Sequence, residues 1–274
     1  MRPQNSELFS TAILLLFLSN FSFTKSVILA ERGKSSSLNV IDSCWRRDPN
    51  WGKDRQKLAR CSVGFAGKMT NNIGVGLIHY QVTDPSDDPL NPRVGTLRHG
   101  VTKIRGKVWI TFQRDMLITL QKPLLIGSYI TIDGRGVNVQ IAHGACFLLN
   151  GVNNVIIHNL QFHHCNSQAP GPVMGPGAKI VQLGQLDGDA IRVVGSSKVW
   201  IDHNTFYECQ DGLIDITRAS TDITVSNNWF KNHDKVMLLG HHDSFIQDKI
   251  MRVTVAFNSF GPNCKQRMPR CSDS

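Results

Sequence analysis

No stretch of this 274-residue chain is long and apolar enough to cross a bilayer, which takes about 20 residues. The most apolar run, Ala12 to Leu18, falls well short. There is no run of lysines or arginines and no nucleic-acid-binding motif, although 30 Lys plus Arg stand against 21 Asp plus Glu. Positive charge so dispersed argues against nucleic acid and suits an acidic polymer or surface. There is no C-x-x-C pair, so a zinc site of that kind is not expected. Segments with the period of an amphipathic helix are scarce. What remains is 41% hydrophobic and 19% charged, a globular composition, and the length suits one large domain or two small ones.

The first residues, "MRPQNSELFSTAILLLFLSNFSFTKS", place Arg2 before a short apolar core and polar Asn20 and Lys25 after it. This pattern predicts a secretory signal peptide over residues 1–25, cut between about Ser22 and Ala30. A secreted domain over residues 26–274 follows. Seven cysteines are compatible with disulfides in that compartment, and the odd count leaves at least one without an internal partner.

Four short segments echo one another: "VIIHNLQF" from Val155, "VWIDHNTF" from Val199, "ITVSNNWF" from Ile223 and "VTVAFNSF" from Val253. The last three share a template of β-branched residue, any, β-branched residue, two variable residues, Asn, any, Phe. Asn204, Asn228 and Asn258 take the same place in each, and the first segment is one residue out of register at Asn159. Short β-rich units at such a period predict an all-β solenoid, a parallel β-helix. Stacking would bury a column of Ile and Phe and let each buried Asn bond the next. Trp200, Phe206, Trp229 and Phe230 are accordingly expected in the core and not in sugar stacking. The Pro/Gly-rich stretch Asn166–Gln185 is expected to be a loop leaving the coil beside a cleft. "DPSDDP" from Asp84 is expected to be a solvated turn.

The segment after that loop is rich in acids: Asp187, Asp189, Asp202, Asp211 and Asp215. Asp211 and Asp215 lie four apart, which puts them on one side of a strand or of a helix. Asp187 lies one repeat before Asp211, so stacking would place it over Asp211 with Asp215 nearby. Carboxylates this close repel unless a cation holds them. Oxygen-only donors select a hard ion, Ca²⁺ before Mg²⁺. "DGDAIR" is no EF-hand loop, since Arg192 stands where that loop needs Gly, so the site would be assembled by stacking.

The segments "IDSCWRRDPNW", "TDPSDDPLNPRVGTLRHGV", "TIDGRGVNV", "DGDAI", "VWIDHNTF", "DGLIDI", "STDITVSNNWF", "HDKVMLLGHHDSF" and "QRMPRC" together resemble the plant pectate lyases of polysaccharide lyase family 1, over about Ile41 to Cys271. The resemblance implies a right-handed, single-stranded parallel β-helix, secreted to the cell wall as a monomer. It also implies Ca²⁺-dependent β-elimination of (1→4)-α-D-galacturonan. Residue by residue, it makes Asp187, Asp211 and Asp215 calcium ligands, with Asp189 able to join them. Arg267 becomes the catalytic base, and Lys235 and Arg270 contact substrate. From the residue alone Arg267 reads as an electrostatic clamp, because arginine is normally charged. His203, His233, His241 and His242 read as structural or substrate-lining.

Two departures stand out. The family has a cysteine where this chain has Arg47, so Cys44 is expected to lack its usual local neighbour. After "QRMPR" the family continues with a further arginine and more coils, whereas here Ser272 stands at that place, so C-terminal truncation is expected. Two other functions stay open on the residues: a non-catalytic pectin binder, and a β-helix hydrolase using paired carboxylates.

Overall fold

A computed structural model describes residues 38–272. The expected signal segment lies outside the described residues. From Leu77 onward the chain winds through short strands that pair in parallel with the equivalent strand of the next turn, giving three long sheets. The first sheet stacks Leu77–Val82, Lys107–Phe112, Ile130–Asp133, Asn153–His158, Ser197–Asp202, Thr221–Ser226 and Val253–Ala256. The second stacks Met116–Ile118, Val139–Ala142, Gln161–His163, Thr205–Tyr207, Trp229–Lys231 and Ser259–Phe260. The third stacks Leu124–Ile126, Phe147–Asn150, Ile191–Val194, Ile214–Thr217, Met237–Leu239 and Arg270–Cys271. This is the parallel β-helix that the repeats predict.

The register explains the echoing segments. Val155, Val199, Ile223 and Val253 align one above another. Val155, Val199 and Ile223 are fully buried with their i+2 partners Ile157, Ile201 and Val225. Phe162, Phe206, Phe230 and Phe260 form a stack with ring centroids 5.1, 5.2 and 5.3 Å apart. These offset-parallel contacts add to the burial of four large apolar side chains.

The asparagines form the expected ladder. Asn204 donates its backbone N–H (2.9 Å) and its amide (3.1 Å) to Asn228 Oδ1, and Asn228 does the same to Asn258 Oδ1 at 2.9 and 3.0 Å. Steps of 24 and 30 residues therefore reach the same position in space. One turn earlier, 44 residues before Asn204, Leu160 occupies this place and gives its backbone N–H to Asn204 Oδ1. That is why Asn159 is out of register. It occupies the preceding corner, which needs a left-handed backbone, as do His203, Asn227 and Phe257. Asn is one of the few residues that tolerate this conformation well.

The first sheet is covered on both faces. Its outward Trp109, Ile156 and Trp200 are buried under an N-terminal arm through Ile41, Trp45, Leu58 and Met69. Trp200 donates to Ser226 Oγ at 2.9 Å. Strands buried on both faces explain the near-continuous apolar runs "VII" and "VWI". Cys44, with Arg47 in place of a neighbouring cysteine, pairs instead with Cys61, 17 residues downstream inside the arm. Cys146 pairs with Cys165, and Cys209, Cys264 and Cys271 are free.

Three expectations need correction. Trp229 is not core: it is 43% exposed, with Lys231 Nζ 4.5 Å from its ring centroid, because the strand's alternation sends Phe230 inward and Trp229 out. The stretch Asn166–Gln185 is not merely loop, since Gly171–Gly175 and Lys179–Leu183 form an antiparallel hairpin. Its Val173 packs on Leu125 and Leu148 and covers the outer face of the third sheet. "DPSDDP" is not fully solvated either. Asp87 is buried and receives Arg98 Nε at 2.6 Å and Nη2 at 2.8 Å, while Arg98 also donates to the carbonyls of Lys122 and Pro123. A fully buried guanidinium needs such a partner.

Candidate active site

The third sheet and the turns leading into it carry the acids. The strands pair Ile191 with Ile214 and Arg192 with Asp215. The step between these turns is therefore 23 residues, one less than along the asparagine ladder. Asp189, not Asp187, consequently sits beside the Asp211–Gly212 turn, and its Oδ1 accepts the Gly212 N–H at 2.8 Å across that 23-residue step. Stacking of Asp187 directly over Asp211 does not hold in this register. Carboxylate oxygens of Asp187, Asp189 and Asp211 nonetheless all converge within 4.8 Å. Asp215 joins them over Gly212, where a Cβ would lie 2.7 Å from Asp215 Oδ1 and 2.8 Å from Asp189 Oδ1. Only glycine leaves room for both carboxyl groups.

The acids differ in environment. Asp187 is about half exposed (51%) and is held by Arg192 Nη1 at 2.9 Å. Asp189 is nearly buried, and its Oδ2 has no hydrogen-bond partner. Burial first, then the charges of Asp215 and Asp187, pushes the Asp189 carboxyl up to about 8. Burial and then Asp211 raise Asp215 to about 6, while Arg192 and Arg267 act in the opposite direction. Lys235 Nζ lies 2.5 Å from Asp211 Oδ1, a contact that raises the lysine. The backbone oxygen of Asp211 lies 2.6 Å from His233 Nε2, which donates to it.

A buried carboxylate oxygen with no hydrogen-bond donor, Arg192 Nη1 being 3.8 Å away, beside a second carboxyl over an open glycine, is a cradle that a cation would fit. Four carboxyl groups supply only hard oxygen donors, and this set fits Ca²⁺. Asp187, Asp189, Asp211 and Asp215 are the residues that would hold it. Zinc would favour imidazole or thiolate.

Arg267 stands in the next coil, on a left-handed corner, with its carbonyl accepting Met237 N–H at 2.6 Å. Its Nε is buried and unpartnered, and its charge is felt at Asp215 and Lys235. Among the described residues no carboxylate forms an ion pair with it, although four lie in the adjacent coils. Arg270 is exposed, aligned with Leu238 and two strands from Asp215. It stays outside the carboxylate cluster. An open groove of about 660 Å³ runs beside Asp211, lined also by Lys235, His233 and Lys265.

Of the named histidines, His233 pins Asp211, whereas His203 bridges Asp202 and Asp42. His241 supplies its backbone N–H to Asp248, and His242 bonds Ser244. The sequence does not single out Arg192 or Gly212 as part of the site. Strand alternation gives the signal for Arg192: between inward Ile191 and Val193, it must face outward with Asp215.

Comparison with known proteins agrees with this geometry. The family profile described as "Pectate lyase" matches residues 118–272. "Putative pectate lyase 2" of Arabidopsis thaliana is 50% identical over 97% of this chain and 69% of its own length. A "Pectate lyase" of Zinnia elegans is 50% identical over 85% of this chain and 58% of its own. The chain thus spans between half and about two thirds of the length of the curated relatives it matches. The crystal structure of jun a 1, the major allergen from cedar pollen, superposes with a TM-score of 0.83 at 47% identity. That match covers 86% of this chain and 68% of the other. With a matching profile over more than half its residues and relatives at 50% identity, the chain belongs to the pectate lyase family.

Proposed function

We propose that this chain carries the site of a Ca²⁺-dependent lyase that cleaves (1→4)-α-D-galacturonan by β-elimination in the cell wall. The observation that carries the reading is the buried Asp189 Oδ2, which has no hydrogen-bond donor and only Arg192 Nη1 at 3.8 Å, among three other acids and bordered by Lys235 and the unpaired Arg267. A bound Ca²⁺ would neutralise the uronate carboxylate and so favour loss of the proton beside it. Asp187, Asp189, Asp211 and Asp215 hold the cation. Lys235 and Lys265 line the groove with positive charge and attract the polyanion. Arg267, bound to no carboxylate, would take the C5 proton as a neutral guanidine, the nearby Lys235 and the bound cation disfavouring its charged form. The C5–H electron pair becomes the C4–C5 double bond, the C4–oxygen bond breaks, and the leaving oxygen takes a proton from water. Arg270, exposed on the neighbouring strand, contacts a further sugar of the polymer. No helix among the described residues is long and apolar enough to cross a membrane.

Arg267→Lys tests the base. It is examined in this chain and in one extended with the remaining coils of a relative. Production of unsaturated, ultraviolet-absorbing ends should fall at least a hundredfold, with polygalacturonate binding kept, because a lysine nitrogen cannot reach the guanidine position. Turnover unchanged from the parent would remove Arg267 from the reaction. Product without unsaturation, insensitive to chelator, would point to hydrolysis instead. Binding without product in both parents would leave a pectin-binding module.

A further inference from the structure

A second cluster of metal-binding side chains lies at the corner where the second sheet ends, and the lyase reading does not use it. The register aligns Ala142 with His163 and His163 with Tyr207. The next residues, His143, His164 and Glu208, therefore form a column of corners, all with left-handed backbone at φ 59, 50 and 52°. One ring nitrogen from each of His143, His163 and His164 falls within 4.8 Å of the others.

The hydrogen bonds orient these rings. His163 Nε2 lies 3.0 Å from Gln140 Oε1, an acceptor, so Nε2 carries the proton and Nδ1 presents its lone pair. That Nδ1 faces His164 Nδ1 at 2.8 Å, so the two nitrogens share one proton. On its other side His164 Nε2 lies 3.4 Å from Glu208 Oε2, a partner for an Nε2–H. A divalent ion replacing the shared proton would meet two Nδ1 lone pairs, one on a ring whose Nε2 donates to Gln140 and one on a ring whose Nε2 faces the Glu208 carboxylate at 3.4 Å. This carbonyl- or carboxylate-backed imidazole is how metal-ligating histidines are usually fixed. Ring nitrogens on one ion at about 2.0–2.1 Å stand roughly 2.9–3.4 Å apart, so the gap needs to open by only a few tenths of an ångström.

The surroundings hold the cluster in place. Tyr207 stacks on His163 with centroids 4.6 Å apart. The Cys146–Cys165 disulfide joins the turns that follow His143 and His164. His163 is buried, while His143 and the His164 side chain (44%) open to solvent and give an ion a way in. Lys231, whose charge is felt at His163 and opposes a cation, rests over the Tyr207 and Trp229 rings.

We propose that His143, His163 and His164, with Gln140 and Glu208 behind them, form a site for a first-row divalent transition ion such as Zn²⁺ or Cu²⁺. It is distinct from the all-oxygen acid cluster and clamps two successive coils. Nitrogen donors select such ions over Ca²⁺.

The test uses the untagged full chain at pH 7.5 with saturating Ca²⁺, titrated with Zn²⁺ by calorimetry. One equivalent should bind at micromolar Kd or tighter and raise the melting temperature. His143→Asn and His164→Asn, replacements suited to a left-handed corner, should each weaken binding more than about tenfold and abolish the thermal shift. Gln140→Leu should weaken it roughly 10–100-fold. His79→Asn, an exposed histidine elsewhere, should bind as the parent. Melting of each variant without Zn²⁺ close to the parent's shows that folding is intact. No stoichiometric uptake by the parent, or parental affinity in both corner variants, overturns the proposal.

Discussion

Lys235 Nζ sits 2.5 Å from Asp211 Oδ1, one coil away, so a lysine holds one of the carboxylates assigned to the cation. The two positive charges compete for one oxygen. Lys235→Gln should therefore tighten Ca²⁺ binding several-fold, a factor in keeping with a partly exposed pair worth about 1 kcal/mol or less. The same change should depress cleavage of polygalacturonate, because the displaced ammonium is then missing from the groove. Calorimetry with Ca²⁺ and release of unsaturated product give the two readings. Weaker Ca²⁺ binding in the variant would show that Lys235 supports the acids and does not compete for them.

Affinity for Ca²⁺ should climb with pH between about 6 and 8 and then level off. Asp189, pushed up to about 8, holds a proton at neutrality, and Asp215, pushed to about 6, holds one only below about pH 6, and a cation must displace both. Binding at pH 7 should release protons, seen as a dependence of binding heat on the buffer's ionisation enthalpy, and Asp189→Asn should reduce the release. For stability the sign is the reverse. These raised carboxyls favour the cation-free fold fully below the unfolded value of 3.8, and that contribution fades as pH rises to about 8.

Asp87→Ala should destabilise the fold by about 3–5 kcal/mol in urea unfolding, since it leaves the fully buried Arg98 uncompensated. Replacing both residues with apolar ones should recover much of the loss. A small effect of Asp87→Ala alone would mean that the carbonyls of Lys122 and Pro123 suffice for the guanidinium.

Asn228→Ala should cost about 2–4 kcal/mol, because four hydrogen bonds end on this one buried amide and several of its partners have no alternative. Asn258→Ala should cost less, its place being only partly buried. Equal costs at the two positions would count against burial as the reason.

The repeats were legible because a β-helix writes its register into sequence: β-branched residues where strands face inward, Asn where a turn must satisfy its neighbour. The cluster of acids was legible for the same reason. Its internal order was not. A spacing of 24 holds at Asn204 and Asn228, but the third sheet advances by 23, and that single residue moves Asp189 to the centre and Asp187 to the rim. Asp87 and Trp229 were misjudged because burial there depends on a distant partner, or on which side of a two-residue alternation the chain begins. Arg267 shows the limit most clearly. Its neighbours come from other coils, and nothing in "QRMPR" alone tells a base from a clamp.

The unequal steps of the asparagine ladder, 44, 24 and 30 residues between positions that touch, separate chain length from geometry. A turn can take in a hairpin as long as Gly171–Leu183 while the strands on either side keep their stacking. Insertions at such a hairpin, away from the turns that hold Asp189 and Asp211, thus leave the strand register that places those acids unchanged. The same change inside a strand would slide every residue after it to the opposite face. Lineages sharing this architecture can therefore reshape the walls of the groove by exchanging turns away from the acids while the acid cluster keeps its place.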